Sequence, residues 1–363
     1  MRQSLGHEHK ALVKVLGVPM LERNVLALLS HGFREIFLAV NEKERSLLAF
    51  AKGRAAQLMR ACDCELKLIV ETQPLGTIGA AAKVQTASDD LVVVNVDNLT
   101  TLDLAALLKH HRSRKAAMTI ATHTEPFKVP FGQVSVKRGW ITRYQEKPIL
   151  PVLLSSGTYV LNKSARLIIP LERAVGAPEV VNMLLDRGHS VAAFEHSSAW
   201  IDVNDSASLQ RAEELIMANF KGFEMWRQSP HRQVAVLCVV NDAVVAVKKK
   251  AGVPTVAGLP IIELSKGEPD EAIAQCSHTG LIRAKSARVL ACLDDIDART
   301  GKRTRWHVIL AEPTRSFRSR RNNGSFQWAQ IKDLSTVLSG SHVNYRALSY
   351  LNQFAAHSDS VSH

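Results

Sequence analysis

Apolar and polar residues follow two different periods in the first part of the chain. Short runs of β-favouring residues predict strands, and apolar residues that recur every three or four positions predict amphipathic helices. The predicted strands are Glu35–Val40, Leu66–Val70, Leu91–Asp97 and Met118–Thr122. The predicted helices are Met20–Leu29, Glu44–Met59 and about 100–112, and Lys10–Val15 is predicted as a short strand or loop. This alternation indicates an α/β fold with a doubly wound, mostly parallel, Rossmann-like sheet.

The run Leu91–Asp97 is the most informative of these predicted strands. Six apolar or neutral residues precede the carboxylate of Asp97, and such a run is typical of a strand buried on both faces of a parallel sheet. Because ligands of these sheets gather at the carboxyl ends of the strands, Asp97 is a candidate for the ligand crevice. The alternative is a loop aspartate that caps the helix predicted to begin at 100–103.

The predicted elements become shorter after Pro126. The strands are Gly132–Val136, Trp140–Glu146, Thr158–Leu161 and His189–Phe194, and the helices are Val180–Arg187 and Asp205–Ala218. We therefore predict that a first domain, 1–220, ends with the last of these helices.

A second pattern begins at Gln233, after a linker predicted at 221–232. Two strands, Val234–Val240 and Ala243–Val247, flank an Asn-Asp turn and predict a β-hairpin. We predict a second, smaller domain over 233–355 and a disordered tail at 356–363.

Composition and charge narrow the class of protein. With 363 residues, of which 46% are apolar and 22% charged, the chain is globular and long enough for two domains. No run approaches the roughly 18 apolar residues that span a membrane, and the N-terminus lacks the apolar core of a signal peptide. Five scattered cysteines form neither a disulfide framework nor a paired zinc pattern. We therefore predict a cytoplasmic protein without a membrane partner, whose net charge of +12 suits phosphate-bearing ligands or nucleic acid.

Six short motifs follow one another along the predicted first domain. The first three are Lys10-Ala-Leu-Val-Lys-Val-Leu-Gly17-Val-Pro19, Pro74-Leu75-Gly76-Thr77-Ile78-Gly79 and Asn95-Val96-Asp97. The other three are Glu146-Lys147-Pro148, Ser155-Ser156-Gly157-Thr158-Tyr159 and Trp200-Ile201-Asp202-Val203. Their order, more than any one of them, resembles the sugar-1-phosphate nucleotidylyltransferases over about 1–220.

This resemblance implies a reaction and a metal ion. A phosphate oxygen of a sugar 1-phosphate attacks the α-phosphorus of a nucleoside triphosphate, and pyrophosphate leaves. The protein must hold the two phosphates in line and neutralise their charge. The resemblance implies that Asp97 and Asp202 hold Mg²⁺, which prefers one or two carboxylates together with phosphate oxygens. It also implies that Lys10 supplies a point charge at the phosphates, as a catalytic residue beside Asp97.

The resemblance also implies residues that bind the two substrates. Gly76 would let the backbone approach the base, and Thr77 would open an alanine-rich helix whose N-terminus favours negative charge. The implied sugar-phosphate residues are Gly132, Glu146, Lys147 and Gly157. A solvated charge pair after a strand is the alternative for Glu146 and Lys147.

The identity of the base depends on the residues before Gly76. The family often has a glutamine five residues before this glycine, where the chain has Glu71. A carboxylate can only accept hydrogen bonds, which suits the adjacent N–H and NH₂ donors of guanine and favours GTP. Gln73 is close enough in sequence to take the place of Glu71 at the base, so UTP, dTTP and CTP remain alternative substrates.

The chain departs from the family pattern at its start. The family begins with a buried strand and a Gly-rich loop ending in Gly-Thr-Arg, and Met1-Arg2 aligns just after that loop. We therefore expect a missing central strand and a missing phosphate loop. Either the start codon lies further upstream, or the form is truncated and inactive. The alternative function is accordingly a pseudo-transferase that binds nucleotide sugars as a regulatory or scaffold protein. His9, Val96 and Ser155 stand where the family has Pro, Gly and Asn.

The second half of the chain resembles a Nudix hydrolase domain over 233–355. That family binds Mg²⁺ through a cluster of carboxylates on a helix, but the matching stretch Ile273–His278 contains none. Because a hard cation needs such oxygens, the resemblance implies a catalytically degenerate α+β domain. We expect a nucleoside triphosphate and a sugar 1-phosphate as binding partners. Nucleic acid is not an expected partner, and a homo-oligomer is possible.

Overall fold

The structure, a computed structural model, describes residues 9–226, 230–241, 244–250, 253–265, 271–272, 274, 284–296, 301–313, 326–330, 334 and 345–353. In chain order the strands are β1 (Lys14–Val15), β2 (Val18–Pro19), β3 (Glu35–Asn41), β4 (Glu65–Glu71), β5 (Leu91–Val94), β6 (Asn98–Thr100), β7 (Met118–Lys128), β8 (Gln133–Lys137), β9 (Trp140–Gln145), β10 (Ile149–Leu161), β11 (Val191–Glu195), β12 (Trp200–Asp202), β13 (Arg232–Asn241), β14 (Val244–Lys250), β15 (Val253–Gly258), β16 (Ile261–Leu264), β17 (Ala284–Ile296), β18 (Arg303–Pro313) and β19 (Phe326–Gln330). The helices are α1 (Met20–Ser30), α2 (Arg45–Phe50), α3 (Ala56–Ala61), α4 (Leu104–Arg114), α5 (Lys163–Ile168), α6 (Ala177–Asp186), α7 (Ser206–Ala218), α8 (Phe220–Glu224) and α9 (345–353).

The predicted periodicities are confirmed for most of these elements. Helices α1, α4, α6 and α7 and strands β3 and β4 lie within a few residues of their predicted positions, and β13 and β14 pair as the predicted hairpin. The helix predicted over Glu44–Met59 is interrupted by a π-helical segment, Ala51–Ala55. Lys10–Val15 is neither one strand nor a loop, because Lys10–Leu12 forms a 3₁₀ helix before β1.

The chain forms two compact units. The first comprises Met1–Ile36, Glu44–Lys67 and Val203–His363, and the second comprises Phe37–Lys43 and Leu68–Asp202. This division does not follow the predicted linker at 221–232, because residues from both sides of the linker pack in the first unit. The limits 1–220 and 233–355 therefore stay predictions.

The second unit contains a four-stranded sheet in the order β11–β7–β10–β5. β11 runs parallel to β7, whereas β10 runs antiparallel to both β7 and β5. The α/β character is confirmed, but the prediction of mostly parallel pairing is corrected for these strands. The reason is local, because the β8–β9 hairpin returns the chain so that β10 lies directly along β7.

Helices cover the apolar face of this sheet. Met118, Tyr159 and Leu161 from the strands pack with residues of α5 and α6, such as Ala165 and Leu184, in one buried cluster. The core is therefore built at the end of the strands away from β8 and β9, whose residues are exposed.

The first unit contains a mixed sheet in the order β15–β14–β13–β18–β17, with β16 on β13 and β19 on β14. β13 and β18 are parallel, and β17 is antiparallel to β18. Of the stretch Ile273–His278 only Ala274 is described, so its prediction lies outside the described residues. Among the described residues no helix is long and apolar enough to cross a membrane.

Candidate nucleotidyl-transfer site

The two candidate metal carboxylates are presented by paired segments of the second unit. β6 and β12 are antiparallel, and Asn98 of β6 lies opposite Asp202, the last residue of β12. Directly opposed residues of such a pair have Cα atoms about 4.5–5.5 Å apart. Because Asp97 immediately precedes Asn98, this register brings the two aspartates to the same end of the β6–β12 pair.

Asp97 lies in a turn, and the strand before it is shorter than predicted. β5 ends at Val94, and the turn closes where Asn98 N–H donates to the carbonyl of Asn95 at 3.2 Å. The prediction of one strand to Asp97, buried on both faces, is corrected, since β5 is half-buried and Asn95 N–H donates to Gly157 at 3.0 Å.

The alternative interpretation of Asp97 as a helix cap is wrong. Asp103 caps α4, and its carboxylate accepts from Ala105 N–H at 3.0 Å and Ala106 N–H at 3.1 Å. These bonds satisfy donors that the first helical turn leaves without partners. The structure therefore assigns the capping role to a different aspartate of the same segment.

Gly157 packs directly against the Asp97 turn. It lies at a bulge in β10, between Ser155 and Tyr159, with φ +68°. A Cβ at this position would overlap the Nδ2 atom of Asn98 and lie 2.9 Å from that of Asn95. Only glycine combines this conformation with this space. The structure thus brings Gly157, Asp97 and Asp202 together. The predicted role of Gly157 in binding the sugar phosphate stays a prediction.

Ser156 stands in the motif Ser155–Tyr159, but the motif comparison gave it no role in this site. Its carbonyl accepts from Asn98 Nδ2 at 2.8 Å and from Trp200 Nε1 at 2.9 Å. Its hydroxyl lies 2.7 Å from His196 Nε2 and 3.0 Å from His123 Nδ1. Because the two histidines come from distant parts of the chain, no spacing in the sequence indicates this cluster.

The predicted nucleotide turn is pinned to the segment before α6. Gly76 has φ +79°, and a Cβ there would lie 2.5 Å from the carbonyl oxygen of Val175. Val175 N–H also donates to Leu75 at 2.8 Å. Gly76 is therefore required by packing, whatever it contacts in a substrate.

Two side chains of this turn already have protein partners. Glu71 Oε2 accepts from Leu75 N–H at 3.3 Å, and Gln73 Nε2 donates to the carbonyl of Glu172 at 2.7 Å. A carboxylate has about four lone-pair sites, so one bond does not exhaust the acceptors of Glu71.

The alanine-rich helix predicted after Thr77 is not an α-helix. Residues Gly79–Lys83 form only a short 3₁₀ helix, whose few peptide units give little of the aligned dipole that the prediction for Thr77 invoked. That reasoning for Thr77 is therefore corrected.

Three of the residues predicted to bind the sugar phosphate, Gly132, Glu146 and Lys147, lie at the base of the β8–β9 hairpin. Tyr144 OH donates to Glu146 Oε2 at 3.2 Å, and a Cβ on Gly132 would overlap the same phenol oxygen. Lys147 has φ +43° and is exposed, as is Glu146. The hairpin thus brings Gly132 and Glu146 together, and their substrate roles stay predictions.

Lys10 belongs to the first unit. It begins the 3₁₀ helix that His9 caps, with His9 Nδ1 accepting from Ala11 N–H at 3.2 Å. Its predicted role at the phosphates is not tested by these contacts.

The donor set suits a magnesium ion that is shared with substrate. Among the described residues no group of three or more His, Cys, Asp or Glu side chains could hold a metal. Mg²⁺ does not require one, because it is usually bound by one or two carboxylates together with waters and substrate phosphates. Asp97 and Asp202 fit this requirement.

The chain is similar in sequence to known sugar-1-phosphate nucleotidylyltransferases. A mannose-1-phosphate guanylyltransferase of Arabidopsis thaliana is 23% identical over 344 residues, 92% of this chain and 86% of that protein. A UTP–glucose-1-phosphate uridylyltransferase of Synechocystis sp. is 28% identical over 211 residues, 53% of this chain and 54% of that protein. The crystal structure of HddC from Yersinia pseudotuberculosis is 20% identical, with a TM-score of 0.45 over 58% of this chain and 90% of that one. The sequence model of the family described as Nucleotidyl transferase matches residues 7–219, more than half of the chain, and the chain belongs to this family of enzymes.

Proposed function

We propose that the protein transfers a nucleotidyl group from a nucleoside triphosphate to a sugar 1-phosphate, with Mg²⁺ held by Asp97 and Asp202. The observation that carries the proposal is the pairing of β6 with β12, which opposes Asn98 and Asp202 and so places Asp97 and Asp202 at the same end of this strand pair. Membership of the family supports the reaction class.

The proposed reaction is an in-line displacement. An oxygen of the sugar phosphate forms a bond to the α-phosphorus, and the bond from that phosphorus to the bridging oxygen of pyrophosphate breaks. When bound, the ion would neutralise charge on the phosphoryl oxygens and orient them. Asp97 and Asp202 would fix its position, Lys10 would add a positive charge, and pyrophosphate would leave without a covalent enzyme intermediate.

We propose GTP as the nucleotide and mannose 1-phosphate as the first sugar to test. Several relatives, including that of Arabidopsis thaliana, are named as mannose-1-phosphate guanylyltransferases, which supports both choices. Glu71 would accept from the N–H and NH₂ groups of guanine, with Gln73, Gly76 and Thr77 forming the rest of the base pocket. Gly132, Glu146, Lys147 and Gly157 would bind the sugar phosphate.

We propose that the region from Gln233 is a Nudix-like domain without hydrolase activity. The mixed sheet in which β13 and β18 are parallel supports an α+β domain. Ile273–His278 offers no carboxylate for a hard cation. We further propose that the protein acts in the cytoplasm.

The test is pyrophosphate release by the full-length protein with four nucleoside triphosphates and a panel of sugar 1-phosphates. Asp97→Asn and Asp202→Asn should each lower the rate by at least about 100-fold. The reason is that a metal ion stabilises transition-state charge by several kcal/mol, and each 1.4 kcal/mol is a factor of ten.

Asp103→Asn is the matched control for these variants. It removes a carboxylate from the same segment but keeps a side chain that caps α4 equally well. It should keep the wild-type rate. Wild-type rates in Asp97→Asn would refute the metal assignment. A wild-type protein that binds a nucleotide sugar but never releases pyrophosphate would instead favour the regulatory pseudo-transferase.

A further inference from the structure

One backbone oxygen connects β6, which begins directly after Asp97, with β12, which ends at Asp202. The carbonyl of Ser156 accepts from Asn98 on β6 and from the Trp200 indole on β12. Asn98 follows Asp97 directly, and Trp200 lies two residues before Asp202. Any shift of Ser156 would therefore move the ends of β6 and β12 relative to each other.

Two imidazole rings hold Ser156 in place. The residue is fully buried, and its hydroxyl lies 2.7 Å from His196 Nε2 and 3.0 Å from His123 Nδ1. The His123 ring also packs on Trp200, with ring centroids 4.2 Å apart. Hydrogen bonds in such a buried cluster reinforce one another and are costly to leave unmade.

The direction of the hydrogen bonds follows from one backbone amide. Ser198 N–H donates to Nδ1 of His196 at 3.3 Å, so a neutral His196 carries its proton on Nε2. That N–H donates to the Ser156 hydroxyl, whose own proton is then available to Nδ1 of His123. The cluster thus forms a directed chain from Ser198 through His196 and Ser156 to His123.

We infer that Ser156, His123 and His196 are positioning residues for the carboxylates Asp97 and Asp202. In this role they act through Asn98, the neighbour of Asp97, and through Trp200, which lies on the same strand as Asp202. The inference rests on the proposed metal role of these aspartates. Groups that orient metal ligands from behind commonly change metal affinity by about 10- to 100-fold when they are replaced.

The test is the binding of Mn²⁺ alone to the full-length protein, followed by water-proton relaxation. Ser156→Ala and His196→Met, which lack the hydroxyl and the Nε2 donor, should weaken Mn²⁺ binding by about 10- to 100-fold. His196→Gln should restore most of the affinity, because its amide N–H can donate to Ser156. Ser164→Ala is the control, since this serine bonds only locally to Asn162 at the surface.

A purely structural role predicts a different result. Lower unfolding midpoints in Ser156→Ala and His196→Met with Mn²⁺ affinity equal to the wild type would overturn the inference, as would a wild type that does not bind Mn²⁺. If Ser156→Ala does not fold, the pair His196→Met and His196→Gln decides alone.

Metal binding needs no turnover, so the outcome is separate from that of the proposed reaction. A protein that shows the expected Mn²⁺ series but transfers no nucleotide would refute the proposed function and leave the positioning role standing. In an active protein, Ser156→Ala should raise the Mg²⁺ concentration for half-maximal rate while kcat at saturating Mg²⁺ changes little.

Discussion

Glycines of the site show how a single residue can serve both backbone geometry and a functional motif. Gly157 and Gly76 have φ +68° and +79°, and in both cases a Cβ would meet a neighbouring polar group, Asn98 or the backbone of Val175. The motif comparison assigned both glycines to substrate contact. The structure adds that each is required by the packing of its own turn, so replacing either would disturb the site even before a substrate binds.

Replacing Gly157 should therefore affect more than the backbone conformation. Gly157→Ala and Gly188→Ala both place a side chain at positive φ, which costs about 1–2 kcal/mol, but a Cβ at Gly188 has nothing within 4 Å. Only Gly157→Ala should also displace Asn98 and weaken Mn²⁺ binding. Urea unfolding with relaxation titrations measures both effects. Equal metal affinity in the two variants would contradict the contact described here.

A buried histidine links the stability of the fold to pH. Burial lowers the pKa of His111 below its ordinary value of 6.5, and the charges of Arg112 and His110 add to this while Asp90 opposes it. The unfolded chain therefore takes up a proton near pH 6.5 that the folded protein refuses until lower pH. Stability should be complete above about pH 6.5 and fall as the pH drops toward the lowered pKa.

The variant His111→Gln isolates the contribution of His111 to the pH dependence of stability. His111→Gln removes the titrating group while keeping a partner for the Thr119 hydroxyl, which lies 2.8 Å from His111 Nδ1. Urea midpoints between pH 5 and 8, a range chosen to bracket the ordinary histidine pKa, should fall less steeply in acid for this variant. If the urea midpoints of the variant and the wild type fall equally steeply with decreasing pH, His111 does not cause the loss of stability in acid.

At the scale of elements, hydrophobic periodicity predicted most positions but not the pairing of the strands. The helices α1, α4, α6 and α7 could be predicted because their apolar stripes and caps are local. The antiparallel pairing of β10 could not, since it depends on backbone contacts with β7 that the apolar pattern of the two strands does not specify. The aspartates were identified from motif order. The Ser156 cluster could not be, because it depends on tertiary contacts of Ser156 with His123 and His196, which lie outside every motif.

The cap of α4 gives a prediction at this scale. Asp103→Ala removes the acceptor for Ala105 and Ala106 N–H and should lower the free energy of unfolding by about 1 kcal/mol. Asp103→Asn should restore nearly all of it, because Asn is an equally good cap. Urea denaturation compares the two variants. Equal stability of Asp103→Ala and the wild type would show that the cap contributes nothing.

At the scale of the whole chain, one buried charge cluster unites the first unit. Glu224 of α8 pairs with Arg23 of α1 and with Arg346 of α9, and Tyr350 OH donates to it at 3.0 Å. Burial raises the pKa of the Glu224 carboxyl, but the two guanidinium groups outweigh it and keep the pKa below its ordinary value. Segments from both ends of the chain thus depend on one carboxylate, which links α9 to the family-matched part of the chain.

Removing this charge should destabilise the protein strongly. Glu224→Gln leaves the buried guanidinium groups of Arg23 and Arg346 uncompensated and should cost about 3–5 kcal/mol. Glu263→Gln is the control, since its pair with Arg232 is exposed and should matter little. Urea denaturation of both variants gives the comparison. If both variants lose a similarly small free energy of unfolding, the Glu224 cluster does not hold the first unit together.

The proposed nucleotidyl transfer is tested most directly by ³¹P NMR of the full-length protein with GTP, mannose 1-phosphate and Mg²⁺. The proposal predicts that the signals of both substrates decline together while those of pyrophosphate and a nucleoside diphosphate sugar grow, and that chelating Mg²⁺ stops the change. Unchanged spectra with every nucleotide and sugar phosphate tested, or conversion of GTP to GDP and phosphate without a sugar product, would contradict it.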